Sequence, residues 1–330
     1  MRNLNTTSFS DRLSRIGYLL KHTFTVVGRD ADILSPWIWM VVYALVMVTA
    51  FFTGIIASFL DMIPLAAGGF GLAVLMFLYK YFFYNYREMG QSWLVYETIC
   101  GRDRSYADAK QAAKERKSGV RKLAGLDMLM AYLMSKRGEG EGWGQKLINL
   151  FLAGLSEVWD LVNHYMLPAI AIDELTLTDG VKKMKELRNQ VPETLVGVFG
   201  IDFIGSIVGQ VTGLMYFLFF LVAGGGMYLG GEVLPEAFTF TFEENPIGSG
   251  PLVLNVLPLI LCIYVAKMVG VMFERVVTSI KVIYFTIFYT QITHSDRIVD
   301  DLQPQLESYL RMEEQPAAEV ASSSQGAVAS

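Results

Sequence analysis

Charge, cysteine and histidine are all scarce in this chain: 18% of its 330 residues are Asp, Glu, Lys or Arg, two are cysteine and three are histidine. Each scarcity excludes something. Cys100 sits in a charged connection and Cys262 in an apolar run, and no C-x-x-C motif is present, so neither a disulfide, redox chemistry nor a zinc site is expected. His22, His164 and His294 are far apart and have no partner at metal-ligand spacing. No phosphate-binding loop, nucleophile elbow or metal-ligand cluster is present. The chain is therefore read as having no cofactor and no catalytic centre. A net charge of −5 with dispersed Lys and Arg excludes a nucleic-acid footprint, which needs a basic stripe.

What fills the chain instead is apolar. Hydrophobic residues make up 53% of it and the mean hydropathy is +0.39, more than the polar surface of a water-soluble domain of this size covers. A helix needs about 20 apolar residues to cross the hydrocarbon core of a bilayer. Pro36 to Leu60, Leu65 to Tyr84 and Leu195 to Ala223 satisfy this, as does Leu252 to Phe273, which continues as an amphipathic stretch to Ile292. The first run lacks a small-residue cleavage site and is expected to remain as an anchor. Trp37 and Trp39 open that run, and Tyr79, Tyr81, Tyr84 and Tyr86 close the second, where amphipathic rings settle at a membrane surface.

Orientation is read from the basic residues. Arg2, Arg12, Arg15, Lys21 and Arg29 lie in the N-terminal arm, the region from Lys80 to Lys146 is rich in both types, and Lys182, Lys183, Lys185 and Arg188 form another group. The turn at Asp61 to Pro64 has none. The stretch from Gly225 to Gly250 also has none, and holds Glu232, Glu236, Glu243 and Glu244. Cytoplasmic loops carry the excess of Lys and Arg, so both chain ends are expected in the cytoplasm of a bacterial cell, with the protein in its inner membrane. Leu147 to Ile172 is long enough to span but carries Glu157, Asp160, Asn163 and His164. A single crossing would place 181–188 outside, so the stretch is read as a re-entrant or interfacial helical hairpin broken at Pro168.

The fold class that follows is an all-α membrane protein: a bundle of four transmembrane helices with a re-entrant or interfacial hairpin and cytoplasmic amphipathic helices. Its expected segments are an amphipathic N-terminal helix (1–35), a transmembrane hairpin (36–86), a cytoplasmic helical region and linker (87–146), the re-entrant hairpin with an amphipathic helix (147–194), a transmembrane pair (195–292) with an acidic outer loop (225–250), and a tail (293–330). The Ala, Ser, Gly and Gln composition from Gln315 onward reads as disordered. Ser105 with Asp108 predicts a capping box opening a helix through Lys136. Phe238, Phe240 and Phe242 alternate with Thr239 and Thr241, a period of two that predicts a short strand.

The early helical hairpin, the segment Ile99 to Ala124 and above all Trp159 to Leu187 (WDLVNHYMLPAIAIDELTLTDGVKKMKEL) resemble a family of uncharacterised prokaryotic polytopic membrane proteins. That family is distantly similar to the membrane domain fused to some glycerophosphodiester phosphodiesterases. Trp159, Pro168 and Glu174 occupy the places of its Trp, its Pro in an apolar run and its acidic residue. Where such families carry a Ser late in the amphipathic helix, this chain has Lys183, Met184 and Lys185. The resemblance, over roughly residues 10 to 300, implies a helical fold in the cytoplasmic membrane and no particular activity.

Ionisable groups at membrane depth are costly and so are the candidate site residues. Asp202 and Lys267 come out at similar depth and are expected to pair between helices, as part of an ion path or as architecture. Glu157, Asp160 and His164 share one face of the hairpin, and Lys267, Glu274 and Lys281 share an edge of the last helix; these stripes form either a cation or proton site or a polar face toward headgroups. Gly205, Gly209 and Gly213 form a small-xxx-small run for close helix packing, more readily within the chain than between copies. The expected partners are the lipid bilayer and a second copy or another membrane protein. The leading functional expectation is an interaction, scaffold or assembly component; the alternative is a permease or channel for an ion or small solute.

Overall fold

The computed structural model describes residues 25–135, 162–186, 191–230, 233–243 and 251–304, with backbone alone for 184–186, 191–208 and 211. It is mostly helical. The elements are α1 (Ser35–Phe59), α2 (Ile63–Ile99), α3 (Tyr106–Glu115), α4 (Lys117–Ser135), α5 (residues 162–173), α6 (Leu177–Glu186), α7 (Val191–Leu229), β1 (Thr239–Phe242), β2 (Leu252–Asn255) and α8 (Leu257–Thr293). Among the described residues four helical stretches are long and apolar enough to cross a membrane: Ala31–Phe59, Ile63–Ile99, Thr212–Leu229 and Leu257–Thr293. The protein is a helical membrane protein.

The chain folds as two compact units, residues 1–37, 84–202 and 278–330 in one, and residues 38–83 and 203–277 in the other. In the second unit α1 and α2 form a hairpin. Its turn closes with Met62 N–H donating to Ala57 O at 2.9 Å and Asp61 N–H to Ser58 O at 3.4 Å, while Asp61 takes φ 54°. That is a Schellman cap, which satisfies the last carbonyls of a helix from its own backbone. The returning helix packs very closely. A Cβ on Gly69 would lie 2.8 Å from Ala50 O and 2.8 Å from Gly54 N, so only glycine fits there. Near the other end Tyr43 donates to Met76 O at 2.7 Å and stacks on Phe83 at 4.2 Å. Ala44, Val48 and Phe52 of α1 pack with Val271 of α8, and Thr49 Oγ1 meets Tyr264 Oη at 2.9 Å.

β1 and β2 pair antiparallel, with Thr239 opposite Asn255 and Phe242 opposite Leu252. Phe59 stacks on Phe238 at 5.1 Å, which sets the hairpin at the same end as the α1–α2 turn. Leu214, Phe217, Leu218, Phe220, Leu221 and Val222 of α7 are all exposed. An apolar face of that size belongs in lipid.

The first unit has a different interior. Val120, Leu123, Met166, Leu167, Ile170 and Val282 make one apolar cluster, and Ile33, Leu94, Ile99, Ile283 and Ile287 another. Between them runs buried polar matter. Gln91 donates to Ser279 Oγ at 2.6 Å and to Ile33 O at 3.1 Å, and Ser92 meets Thr286 at 2.7 Å. Buried polar groups cost little when paired in this way.

Several expectations are corrected. α2 extends past the apolar run that ends at Tyr84; its 37 residues continue to Ile99, about 55 Å at 1.5 Å per residue, where Asn85, Gln91 and Ser92 find partners in the fold. The helix expected to run through Lys136 is broken at Arg116 into α3 and α4, although its capping box forms as read, with Ser105 and Asp108 bonding reciprocally. Residues 252–255 are strand, paired to β1, so the last span begins at Leu257. α5 passes through Pro168 without a break and ends at Asp173; the chain turns at Glu174, with φ 55°. The N-terminal amphipathic helix before residue 25, the linker, the hairpin's first arm up to 161 and the tail beyond 304 lie outside the described residues.

Candidate functional site

Among the described residues of the first unit, a connected group of titratable side chains gathers where α5 and α8 end. Tyr165 and Asp173 are two turns apart on α5, so they share a face. Tyr289 lies in the last turns of α8 and His294 just beyond its end. Tyr165, Ala169, Phe288 and Tyr289 are buried together, with Ile172, Leu175 and Ile292 around them. This apolar packing brings the polar atoms into register.

Asp173 uses both carboxylate oxygens. Oδ1 faces His294 Nε2 at 2.6 Å, and Oδ2 accepts a short hydrogen bond from Tyr289 Oη. The Asp173 and His294 side chains are 23% and 15% exposed, so the pair borders water without being immersed in it. With Nε2 committed to Asp173, Nδ1 is the nitrogen left to exchange a proton elsewhere. Tyr165 meets Tyr289 edge-on at 5.4 Å, and its buried hydroxyl has no hydrogen-bond partner among the described residues. Burial, and then the charge of Asp173, push the Tyr165 phenol up from its ordinary value.

A second polar group adjoins it. The Tyr96 ring lies 5.8 Å from the His294 ring, and Arg297 donates to Tyr96 Oη at 2.9 Å. Arg102 grips Glu97 with two bonds, of 2.6 and 2.8 Å, and sits over the Tyr96 ring at 5.4 Å. The bonds to Glu97 hold the Arg102 guanidinium above its ordinary value. Burial raises the neighbouring Cys100 thiol. Both cysteines are free. The arrangement has the chemistry of a proton-holding carboxylate–histidine–tyrosine chain. Among the described residues no group of three or more His, Cys, Asp or Glu has the geometry to hold a metal ion.

The residues singled out from sequence are distributed differently. Glu157 and Asp160 lie outside the described residues, as do the side chains of Asp202 and Gly205, so neither the Asp202–Lys267 pair nor the hairpin's acidic stripe is seen. His164 faces Phe285 at 5.3 Å. Lys267 is exposed on α8. Glu274 bonds closely with its neighbour Arg275. A Cβ on Gly209 or Gly213 meets nothing within 4 Å among the described residues. Close helix approach through glycine is seen at Gly54 and Gly69. Sequence reasoning missed Asp173, Tyr165 and Tyr289 and set His294 aside, because a separation of 121 positions between Asp173 and His294 leaves no spacing to read. Across known proteins, no family model matches the chain, and no curated protein or solved structure matches it.

Proposed function

We propose that the protein is a multi-pass protein of the bacterial inner membrane, with both chain ends cytoplasmic, that works as an interaction or scaffold component. The observation that carries this reading is on α4. Val120, Leu123 and Ala124 seal one face into the core, while Met128, Leu129 and Tyr132, 42%, 49% and 58% exposed, line another. Large apolar side chains held out from a packed helical body mark a contact surface. The basic residues of α3 and α4, Lys110, Lys114, Lys117, Arg121 and Lys122, support a cytoplasmic location. The resemblance to a family of polytopic membrane proteins supports the membrane location alone and assigns no role. Photo-crosslinkers at positions 129 and 132, in intact membranes, test it. Discrete adducts that disappear when Met128→Glu is added support a partner surface; no adduct at either position overturns it.

A permease is the second reading, favoured by the Asp173–His294–Tyr289 chain, since such carboxylate–imidazole chains also serve as proton relays. Ion flux through the purified protein in liposomes tests this reading. It is supported if Asp173→Asn, or Glu157→Gln with Asp160→Asn, lowers the flux, and excluded if folded wild type gives no flux above empty liposomes.

A further inference from the structure

The β-hairpin of the second unit has one face made only of apolar side chains. Residues directly opposite each other on paired strands point to the same side of a sheet. Phe240 therefore joins Leu254 and Phe242 joins Leu252 on one face, while Thr239 joins Asn255 and Thr241 joins Val253 on the other. The apolar face is the one turned toward the helix ends: Phe59, the last residue of α1, meets the Phe240 ring edge-on at 6.5 Å and stacks on Phe238 beside it. The base of the hairpin is pinned. Buried Asn255 donates to Pro235 O and to Thr239 Oγ1, both at 3.0 Å, and its Oδ1 accepts from the N–H of Leu257, which opens α8. Val256 N–H donates to Phe238 O at 2.9 Å.

That pinned face is nevertheless left half open, with Phe240 48% and Phe242 50% exposed. A two-stranded ribbon is marginal in water and needs its apolar face covered. The surface it continues is lipid-facing. Leu60, Met62, Ile63 and Leu65, all exposed, follow Phe59 through the turn into α2. The exposed face of α7 runs on to Leu229, and a Cβ on Gly226 would lie 2.9 Å from Pro258 at the start of α8, so α7 ends beside the strand that feeds α8. Attraction to headgroup phosphates does not hold the hairpin there, because the stretch from Gly225 to Gly250 has four Glu and no Lys or Arg. Aromatic rings on a fixed backbone, continuous with a lipid-facing surface and without cations, suit the boundary between headgroups and acyl chains.

We infer that this face docks on the bilayer itself, with Phe240 and Phe242 inserted at that boundary in the leaflet on the side of the α1–α2 turn, a level that water and reagents dissolved in it still reach. The inference goes beyond the interaction and permease readings and holds under either. The test attaches one environment-sensitive fluorophore through Phe242→Cys or, on the opposite face, through Thr241→Cys, in a background with Cys100 and Cys262 replaced by Ser. Both labelled positions are exposed, so neither change disturbs the core. The full-length protein is returned to phosphatidylcholine vesicles in which some lipids carry a nitroxide high on one acyl chain. The nitroxide should quench the label at 242 about twofold more than the label at 241, and iodide in the water should quench the two in the reverse order. Equal quenching of both labels by the nitroxide, or stronger quenching at 241, shows a hairpin standing clear of the leaflet and overturns the inference. A label at 242 shielded from nitroxide and iodide alike overturns the bilayer as occupant in favour of a protein, whether a second copy or another chain.

Discussion

Asp173 and His294, 121 residues apart in the chain, are joined by a 2.6 Å contact between Oδ1 and Nε2, and the other oxygen of Asp173 accepts from Tyr289. Removing Asp173 therefore strands two groups. Asp173→Ala should lower stability by about 1–3 kcal/mol, nearer the lower figure because water reaches the pair. In a cycle of Asp173→Asn, His294→Gln and the double variant, unfolding in detergent should show a coupling of about 1 kcal/mol. Strict additivity of the two losses would show that the residues do not interact.

Gly69 and Gly213 make a matched comparison. Gly69→Ala drives a methyl into the backbone of α1 and should cost about 1–3 kcal/mol, the usual range for overpacking. Gly213→Ala meets open space and should be neutral or gain up to about 1 kcal/mol from helix propensity. Thermal midpoints in one detergent decide it; the reverse order would refute the packing.

The Tyr165 phenol has its pKa raised in the folded state, first by burial and then by Asp173. An acid whose folded pKa is raised lends full stability below its unfolded value, about 10, and loses it as pH rises toward the folded one. Wild type should thus lose thermal stability above pH ~10 more steeply than Tyr165→Phe, which cannot ionise. Parallel pH curves for the two proteins would exclude Tyr165 as a source of the alkaline loss.

Sidedness is checked in a background with Cys100 and Cys262 replaced by Ser. Phe240→Cys should react from outside the cell with an impermeant thiol reagent, and Lys183→Cys only after the membrane is opened. Labelling at position 183 from outside would invert the proposed placement of α6.

How much of this is legible in the sequence depends on the range of the forces involved. The four apolar runs are plain, since spanning a membrane requires some 20 successive apolar residues, and a run is a local property. The Ser105–Asp108 cap and the alternation at 238–242 are equally local. The continuation of α2 is hidden, because Asn85, Gln91 and Ser92 look like the polar residues of a loop until Asp127, Ser279 and Thr286 are opposite them. Ser279 is 188 residues from Gln91 and Thr286 is 194 from Ser92. The Asp173 cluster is invisible for the same reason. Glycine spacing is a different kind of signal: G-x-x-x-G states that close approach is permitted and names no neighbour, and at Gly54 and Gly69 the neighbour is seen only once α1 and α2 are folded together.

The Schellman cap at Leu60 to Met62 leaves almost no chain outside the two helices it joins. On that side of the bilayer α1 and α2 offer a protease or an antibody very little to grip, and the accessible handle passes to the neighbouring β-hairpin. An epitope inserted between β1 and β2 should be tolerated and recognised, whereas one inserted at 60–62 would pry apart the backbones that Gly69 holds together.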